Sequence, residues 1–274
     1  MLPHLDDLAA LVKAAAKGEL LSRFAGIERR FKADGSVVTE ADFAVQKRLT
    51  ARLQERYPQF DLLGEEMEAQ RQQDLLAQSH AGLWCLDPVD GTSNFAAGLP
   101  FFSISLALLI ERKPVLGIVY DPIRDECFTA ERDRGAWLNG VRLRVRAANL
   151  PLRRSLAVVD FKRLGPLAAK LAVRPPYSSQ RNLGSVALEW CWLAAGRFHV
   201  YLHGKQKLWD YAAGALILSE AGGLAETLQG EPIFHSELQP RSVVAAGDAR
   251  LFEEWKAWLA EHSNGADSPF SDLV

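Results

Sequence analysis

Trp84-Cys85-Leu86-Asp87-Pro88-Val89-Asp90-Gly91-Thr92-Ser93-Asn94-Phe95 passes from apolar residues into two carboxylates, a proline and a glycine. Gly82 to Leu86 reads as a short buried strand, and Asp87 to Gly91 reads as a turn that carries charge away from the strand end. Pro88 fixes its own φ, lacks an N–H donor and biases Asp87 toward extended backbone, so Asp87 and Asp90 can converge. Two such anions repel unless a cation lies between them, and Mg²⁺, a hard ion that takes oxygen ligands, meets that need. Gly91-Thr92-Ser93 would then offer backbone N–H groups and hydroxyls to a phosphate at the start of a short helix. Taken alone, Asp-Pro and Asp-Gly are also ordinary turn pairs, and an isolated D-x-x-D can be a solvated turn and nothing more.

N-terminal to this string, Leu5, Leu8, Leu11, Val12 and Ala15 recur at helical spacing and predict an amphipathic helix reaching Phe24. Lys32 to Val38 is polar and turn-like. Thr39-Glu40-Ala41-Asp42 resembles a capping box opening a helix whose buried stripe is Val45, Leu49 and Leu53, and by itself this makes Asp42 a cap. Phe60-Asp61-Leu62-Leu63 predicts a strand ending at Gly64-Glu65-Glu66, where the glycine permits a sharp turn. Met67 to His80 reads as an exposed, weakly helical connection.

On the C-terminal side, Ser103 to Ile110 and Val115 to Tyr120 predict two strands joined around Arg112-Lys113-Pro114, and Cys127 to Ala130 continues the series. Asn139-Gly140 is a strong hairpin signal between Ala136-Trp137-Leu138 and Val141-Arg142-Leu143. Residues 1–145 therefore read as an α+β half in which helices cover a mostly antiparallel sheet. Arg144 to Arg154 is the candidate linker, and 146–274 reads as a smaller α/β half. It contains Leu156 to Asp160, Leu164 to Leu171, Ser185 to Ala195 and Phe198 to Leu202 as alternating strands and helices. A loop from His203 to Leu208 would then lead into a helix starting at Trp209-Asp210 and stopped by Gly222-Gly223. A last helix spans Ala249 to Glu261, with Leu251, Phe252, Trp255 and Leu259 on one face, and Ser263 to Val274 reads as a loose tail.

Asp87-Pro88-Val89-Asp90-Gly91-Thr92-Ser93-Asn94-Phe95 resembles the D-P-x-D-G-T-x-N-F signature of the inositol monophosphatase family of Mg²⁺-dependent, lithium-sensitive phosphatases. Trp209-Asp210-Tyr211-Ala212-Ala213-Gly214 is similar to that family's W-D-x-A-A-G motif, and Gly64-Glu65-Glu66 to its G-E-E triplet. Lys32 followed by Val38-Thr39-Glu40-Ala41-Asp42 resembles the segment whose aspartate supports a catalytic threonine. The resemblance covers nearly the whole chain and implies a layered αβαβα sandwich of α+β class, the sugar-phosphatase fold. It implies two or three Mg²⁺ ions, the first held by Glu65, Asp87 and the carbonyl of Val89, the second by Asp87, Asp90 and Asp210. Glu65 would also reach a third, weaker ion through water, with Glu66 behind it. Catalysis is assigned to Glu65, Thr92 and Asp42, with Thr92, oriented by Asp42, taking a proton from the attacking water. Gly91, Thr92 and Ser93 would hold the phosphate, and Ser185, His203, Lys205 and Asp210 are the further candidate substrate contacts.

The implied activity is hydrolysis of a small polyol or sugar phosphate, inositol monophosphate first, by a cytoplasmic homodimer. Fructose-1,6-bisphosphatase, 3′(2′),5′-bisphosphate nucleotidase and histidinol-phosphatase activities are the alternatives, and a non-catalytic sugar-phosphate-binding regulator is the alternative of another class. Many inositol-cleaving members carry an acidic residue shortly before W-D, whereas His203-Gly204-Lys205-Gln206-Lys207-Leu208 has none. Its two lysines would suit a second phosphate or a carboxylate. The 274 residues are 48% apolar and 24% charged, ordinary for a globular protein. A net charge of −2 leaves no basic footprint for nucleic acid or an anionic membrane. The first residues lack a signal-peptide pattern, and the longest mainly apolar stretch, Ile104 to Ile110, is too short to span a bilayer. Cys85, Cys127 and Cys191 sit among apolar neighbours without C-x-x-C pairing and read as buried thiols. His4, His80, His199, His203, His235 and His262 are scattered, and no G-x-S-x-G turn suggests a rival site.

Overall fold

The computed structural model describes residues 2–24, 28–32, 35–79, 81–234 and 238–263. The expected tail after residue 263, His80 and His235 lie outside them. Helix α1 (Leu5–Ala15) is followed by a wider π-helical turn, Ala16–Leu20, so the expected single helix to Phe24 ends early. A small hairpin, β1 (Arg30–Phe31) and β2 (Val37–Val38), occupies the segment read as a turn. Thr39 accepts the Ala41 N–H and Asp42 accepts the Thr39 N–H, which closes a capping box and starts α2 (Glu40–Arg56).

Seven strands form one sheet in sequence order, β3 (Asp61–Gly64), β4 (Leu83–Asp90), β5 (Ser103–Ile110), β6 (Lys113–Asp121), β7 (Glu126–Glu131), β8 (Gly135–Leu138) and β9 (Val141–Leu143). β3 and β4 run parallel and the other pairs are antiparallel. Helix α3 (Ala69–Gln78) makes the crossover between β3 and β4, and α4 (Thr92–Ala97) comes after β4. Strand side chains alternate between faces, and both faces are buried. Trp84, Leu86, Ile104, Leu106, Leu108 and Ile118 pack with Leu8, Val12, Val45 and Leu49 of α1 and α2. Cys85, Ala107, Val119 and Phe128 point the other way, toward α6 (Val186–Ala194) and α7 (Leu208–Ala221).

Between β9 and α6 the chain enters the second sheet, with β10 (Leu156–Asp160), α5 (Pro166–Val173) and β11 (Ser179–Arg181). β12 (Val200–Gln206), β13 (Leu224–Glu226), β14 (Arg241–Ala246) and α8 (Ala249–Ser263) complete it, in strand order β11-β10-β12-β14-β13. Val158, Tyr201, Val243 and Ala245 meet α6 and α7, while Ala157, Val159, Leu202 and Val244 meet Leu167, Leu171, Leu251, Phe252 and Trp255 of α5 and α8. The layers are therefore α1/α2, sheet, α6/α7, sheet, α5/α8, an αβαβα sandwich. Helix α7 lies between two sheets and is apolar nearly all round for that reason. A Cβ on Gly214 would stand 2.5 Å from the Cβ of Trp190, and one on Gly117 3.2 Å from the Cα of Ala213, so the small residues after Trp209-Asp210 permit close layer contact. Because α6 and α7 cover the inner face of the first sheet, a cut at residue 145 would strip that face of its cover.

The structure departs from the sequence expectations at several strand ends. β4 does not stop at Leu86 but continues to Asp90, with a register shift between Asp87 and Asp90. The β5–β6 turn is made by Glu111 and Arg112, both at positive φ, and Pro114 lies within β6 at an irregularity where its missing N–H is tolerated. Residues 203–206 are strand, not loop: β12 runs to Gln206, whose partner is Arg241. β11, β13 and β14 add to the alternation read from the sequence, and α3 is not merely an exposed connection, since Gln72 and Leu75 are buried. The three cysteines are buried free thiols. No helix among the described residues is long and apolar enough to cross a membrane.

Candidate active site

The parallel register of β3 and β4 places Gly64 beside Leu86, and the Glu65 N–H donates to the Leu86 carbonyl at 3.1 Å, so the turn after β3 delivers Glu65 next to Asp87. Gln46 of α2 accepts the Glu66 N–H at 3.2 Å, and Gln72 of α3 donates to the Gly64 carbonyl at 2.9 Å, which pins the turn from both sides. A Cβ at Gly64 would overlap the Gln46 side chain. In the other direction Asp87 pairs with Ser105, whose hydroxyl donates to the Trp209 carbonyl at 3.1 Å and brings in the first turn of α7 with Asp210. Asp210 accepts the Lys207 N–H at 2.8 Å as the cap of that helix.

These carboxylates share one field. Asp87 is 3% exposed and takes, among the described residues, a single hydrogen bond, from the Val89 N–H at 3.0 Å. Burial first, and then the charges of Glu65, Asp90, Asp210 and Asp42, push its carboxyl well above the usual range. Burial and Glu65 raise Asp210 to about 8. Burial lifts Asp90 to about 6 despite donors from Ser185, Ala187, Ser103 and Val186. Asp42 also rises to about 6 through burial, against hydrogen bonds from Thr39. Glu66 reaches about 7, again through burial, although Lys32 opposes it. The Lys32 ammonium lies 3.1 Å from Glu65 and 2.6 Å from Glu66, and their charges outweigh its own burial and hold it above the ordinary lysine range.

Asp90 is the most heavily tied. Its Oδ1 accepts the Val186 N–H at 2.9 Å, and its Oδ2 accepts the Ala187 N–H at 2.9 Å, the Ser103 hydroxyl at 3.2 Å and a short bond from the Ser185 hydroxyl. Ser185, expected as a substrate contact, therefore has its hydroxyl on a carboxylate. Thr92 Oγ1 lies 2.8 Å from the Val89 carbonyl and 3.1 Å from Asp42 Oδ1, and Asp42 Oδ2 accepts both the N–H and the hydroxyl of Thr39. Gly91 sits at φ +90, and a Cβ there would stand 3.1 Å from the Gly184 carbonyl, so only glycine fits between β4 and α4. Ser93, the next residue but one, lies in the first turn of α4, whose N–H groups have no acceptor within the helix.

The other expected contacts stand on the second sheet. His203 Nδ1 accepts the Lys205 N–H at 3.2 Å, so the ring proton is on Nε2, 3.0 Å from Asp160 Oδ2. Asp160 is drawn down to about 2 by His203 in spite of partial burial. Lys205 is half-buried, and its carbonyl accepts from Arg163 at 2.9 Å. Asp42, Glu65, Asp87, Val89, Asp90, Gly91, Thr92 and Asp210 thus surround one place, with Ser185 on Asp90 and His203 turned to Asp160. Asn94 was missed as a clamp: its amide donates to the carbonyls of Phe101 at 2.8 Å and Leu183 at 2.7 Å. Ser103 and Gln46 were missed as well, since both act through pairings remote in sequence.

Among the described residues no three His, Cys, Asp or Glu side chains are arranged closely enough to hold a metal ion together. Lys32 pairs with Glu65, and backbone or hydroxyl donors hold Asp90 and Asp210. The donor set nonetheless fits a hard divalent cation, because buried carboxylate oxygens repelling one another around the sparsely bonded Asp87 are what such an ion neutralises.

These shifts bear on stability even without an ion. Asp42, Asp90, Asp210 and Glu66 keep their protons to higher pH when folded than the values of 3.8 and 4.5 they have when free. The folded chain therefore binds more protons than the unfolded one across roughly pH 4 to 8, and stability falls as pH rises through that window. Calorimetry of chelator-treated protein is expected to give a lower Tm at about pH 8 than at about pH 5.5; a higher Tm at pH 8 would contradict the assigned burial of these acids.

A Nus factor SuhB of Pasteurella multocida is 36% identical to this chain over 253 residues, covering 86% of the chain and 89% of the relative. An inositol-1-monophosphatase of Mesorhizobium japonicum is 35% identical over 234 residues, 81% of the chain and 86% of the relative. Among solved structures, the extragenic suppressor protein suhB of Bartonella henselae matches with a TM-score of 0.82 at 29% identity, covering 96% of this chain and 99% of that one. An IMPase of Thermotoga maritima matches at 0.79 and 27% identity, covering 94% and 98%. Residues 4–266 match the model of the inositol monophosphatase family, and the chain belongs to that family.

Proposed function

We propose that this protein is a Mg²⁺-dependent phosphomonoesterase acting on a small polyol or sugar phosphate, with inositol monophosphate as its first substrate. The observation that carries the reading is Asp87, buried in the field of Glu65, Asp90 and Asp210 with one hydrogen bond to its carboxylate among the described residues. Members of the family are generally Mg²⁺-dependent, and Glu65, Asp87, the Val89 carbonyl, Asp90 and Asp210 are the groups that would hold two ions, with Glu65 serving a third. When bound, Mg²⁺ lowers the pKa of water and neutralises charge on the phosphoryl and leaving oxygens. Thr92 Oγ1 receives a proton from the attacking water as its own proton passes to Asp42 Oδ1, 3.1 Å away. The N–H groups of Gly91, Thr92 and Ser93 hold phosphoryl oxygens, and Ser185 keeps Asp90 oriented. The leaving alcohol then lies toward His203 and Lys205. A cytoplasmic homodimer completes the reading, and light scattering tests the dimer.

The Pasteurella relative is named a Nus factor, which favours the alternative of a regulator; the complete carboxylate set argues for catalysis instead. The segment His203 to Gln206 has no acid and carries Lys205, which suits esters with a second anionic group, such as fructose 1,6-bisphosphate or a 3′,5′-bisphosphate nucleotide; histidinol phosphate, whose second charge is an ammonium, is the alternative this lysine does not favour. The test is a panel of these esters and inositol monophosphate compared by kcat/KM with Mg²⁺ and with chelator. Lys205→Ala is expected to cost a bisphosphate about tenfold and inositol monophosphate little. Equal losses for both would remove Lys205 from substrate choice, and no turnover of any ester would favour the regulator.

A further inference from the structure

Helix α6, V-A-L-E-W-C-W-L-A, carries one charged residue, Glu189, and that residue is 2% exposed. A charge in such a helix is costly unless it is hydrogen-bonded, and Glu189 is bonded on both oxygens. Its Oε1 accepts the Leu183 N–H at 3.1 Å and the Gly184 N–H at 3.0 Å, and its Oε2 accepts the Tyr201 hydroxyl at 2.8 Å. The Tyr201 oxygen accepts from Gln206 Nε2 at 2.7 Å, and Gln206 Oε1 accepts the Trp190 indole N–H at 2.9 Å. Tyr201, Gln206 and Trp190 are fully buried.

This chain of bonds ends on two turns that serve the site. On one side Leu183 and Gly184 lead directly into Ser185, Val186 and Ala187, three of the donors on Asp90, and the Leu183 carbonyl is held by Asn94. On the other side Gln206 precedes Lys207, whose N–H is the donor on Asp210. Asp90 comes from β4 and Asp210 from α7, and each is aimed by backbone that the buried chain fixes at its far end. Glu189, Tyr201, Gln206 and Trp190 bond to one another and to the backbone that carries the donors, and their hydrogen bonds reach Asp90 and Asp210 only through that backbone.

We propose that Glu189, through Tyr201 and Gln206, is a positioning residue that sets the Asp90 and Asp210 carboxylates for the divalent ion, an inference that rests on the phosphatase reading above. Glu189→Gln keeps the size of the side chain and one acceptor for the Leu183 and Gly184 N–H groups, but turns an N–H₂ donor toward the Tyr201 hydroxyl, which then lacks its acceptor. Tyr201→Phe keeps the ring that packs on Trp190 at 5.7 Å and removes only the hydroxyl that joins Glu189 to Gln206.

The experiment measures, for the unmodified protein and both variants, the Mg²⁺ concentration giving half-maximal phosphate release and the rise in Tm caused by Mg²⁺. The measurements are made well below the Tm of each variant. Both variants are expected to need about tenfold more Mg²⁺ and to show a smaller Mg²⁺-dependent rise in Tm, the scale found for groups that orient metal ligands. KM for the ester should move little, and the double variant should be little worse than the poorer single one. A purely structural role would lower the metal-free Tm and leave the Mg²⁺ requirement alone. If Glu189→Gln does not fold, Tyr201→Phe still decides. A normal Mg²⁺ response that Tyr201→Phe leaves within about twofold overturns the inference by itself. No Mg²⁺ response in the unmodified protein, in release or in Tm, overturns the phosphatase reading and this inference with it.

Discussion

Asp87→Asn is expected to lower kcat/KM by about a thousandfold or more while the metal-free protein gains thermal stability. Both halves of that result come from one fact: Asp87 is buried among Glu65, Asp90, Asp210 and Asp42, and among the described residues its carboxylate accepts only the Val89 N–H. Asparagine keeps the shape and leaves that acceptor in place, yet removes one of the charges that repel one another in the absence of a cation. Asp90 looks equally suitable from the sequence, but its carboxylate accepts from Val186, Ala187, Ser103 and Ser185. An amide there would set N–H₂ against one of those donors, and lost activity would be mixed with local damage. Steady-state kinetics at saturating Mg²⁺, together with calorimetry in chelator, reads both effects on Asp87→Asn. Near-normal turnover, or a lower metal-free Tm, would remove Asp87 from the centre of the site.

Thr92→Ala is expected to reduce kcat by about a hundredfold or more, and Asp42→Asn by a comparable factor. The Thr92 hydroxyl has one proton and two acceptors, the Val89 carbonyl at 2.8 Å and Asp42 Oδ1 at 3.1 Å, so a shift of that proton toward Asp42 frees the oxygen to accept another. If the two residues act as one relay, the double variant loses little more than the worse single one. Asp42 also accepts from Thr39 and so starts α2, so Asp42→Asn is compared with the unmodified protein by Tm as well as by rate. Fully additive losses in kcat would mean that Thr92 and Asp42 contribute separately.

Local chemistry made much of the fold legible. The capping box at Thr39, the left-handed Asn139-Gly140 hairpin and the glycine stop at Gly222 depend on a few neighbouring residues, and each lies where its residue types put it. Elements fixed by distant partners were harder to read. His203-Gly204-Lys205-Gln206 is polar and contains glycine, so it reads as a loop, but pairing with Arg241 and the bonds of Gln206 to Trp190 and Tyr201 make it strand. Helix α7 follows β12 in sequence, yet its position between two sheets is visible only as apolar character on nearly every face. The site divides in the same way. The signature string places Asp87, Asp90 and Thr92 near one another because they are near in sequence, and the family resemblance supplies Glu65, Asp42 and Asp210. No local pattern announces that Ser185 would donate to Asp90 or that His203 would turn to Asp160, since both pairings arise between separate strands and turns.

The most direct test of a metal-dependent phosphatase centred on Asp87 is a Mg²⁺ titration of metal-stripped protein with inositol monophosphate and the other esters of the panel, following release of inorganic phosphate. No release is expected without metal, with saturable recovery by Mg²⁺ on at least one ester and no recovery in Asp87→Asn at the same Mg²⁺ concentrations. Release that persists in chelator, or no release from any ester at saturating Mg²⁺, would contradict that assignment.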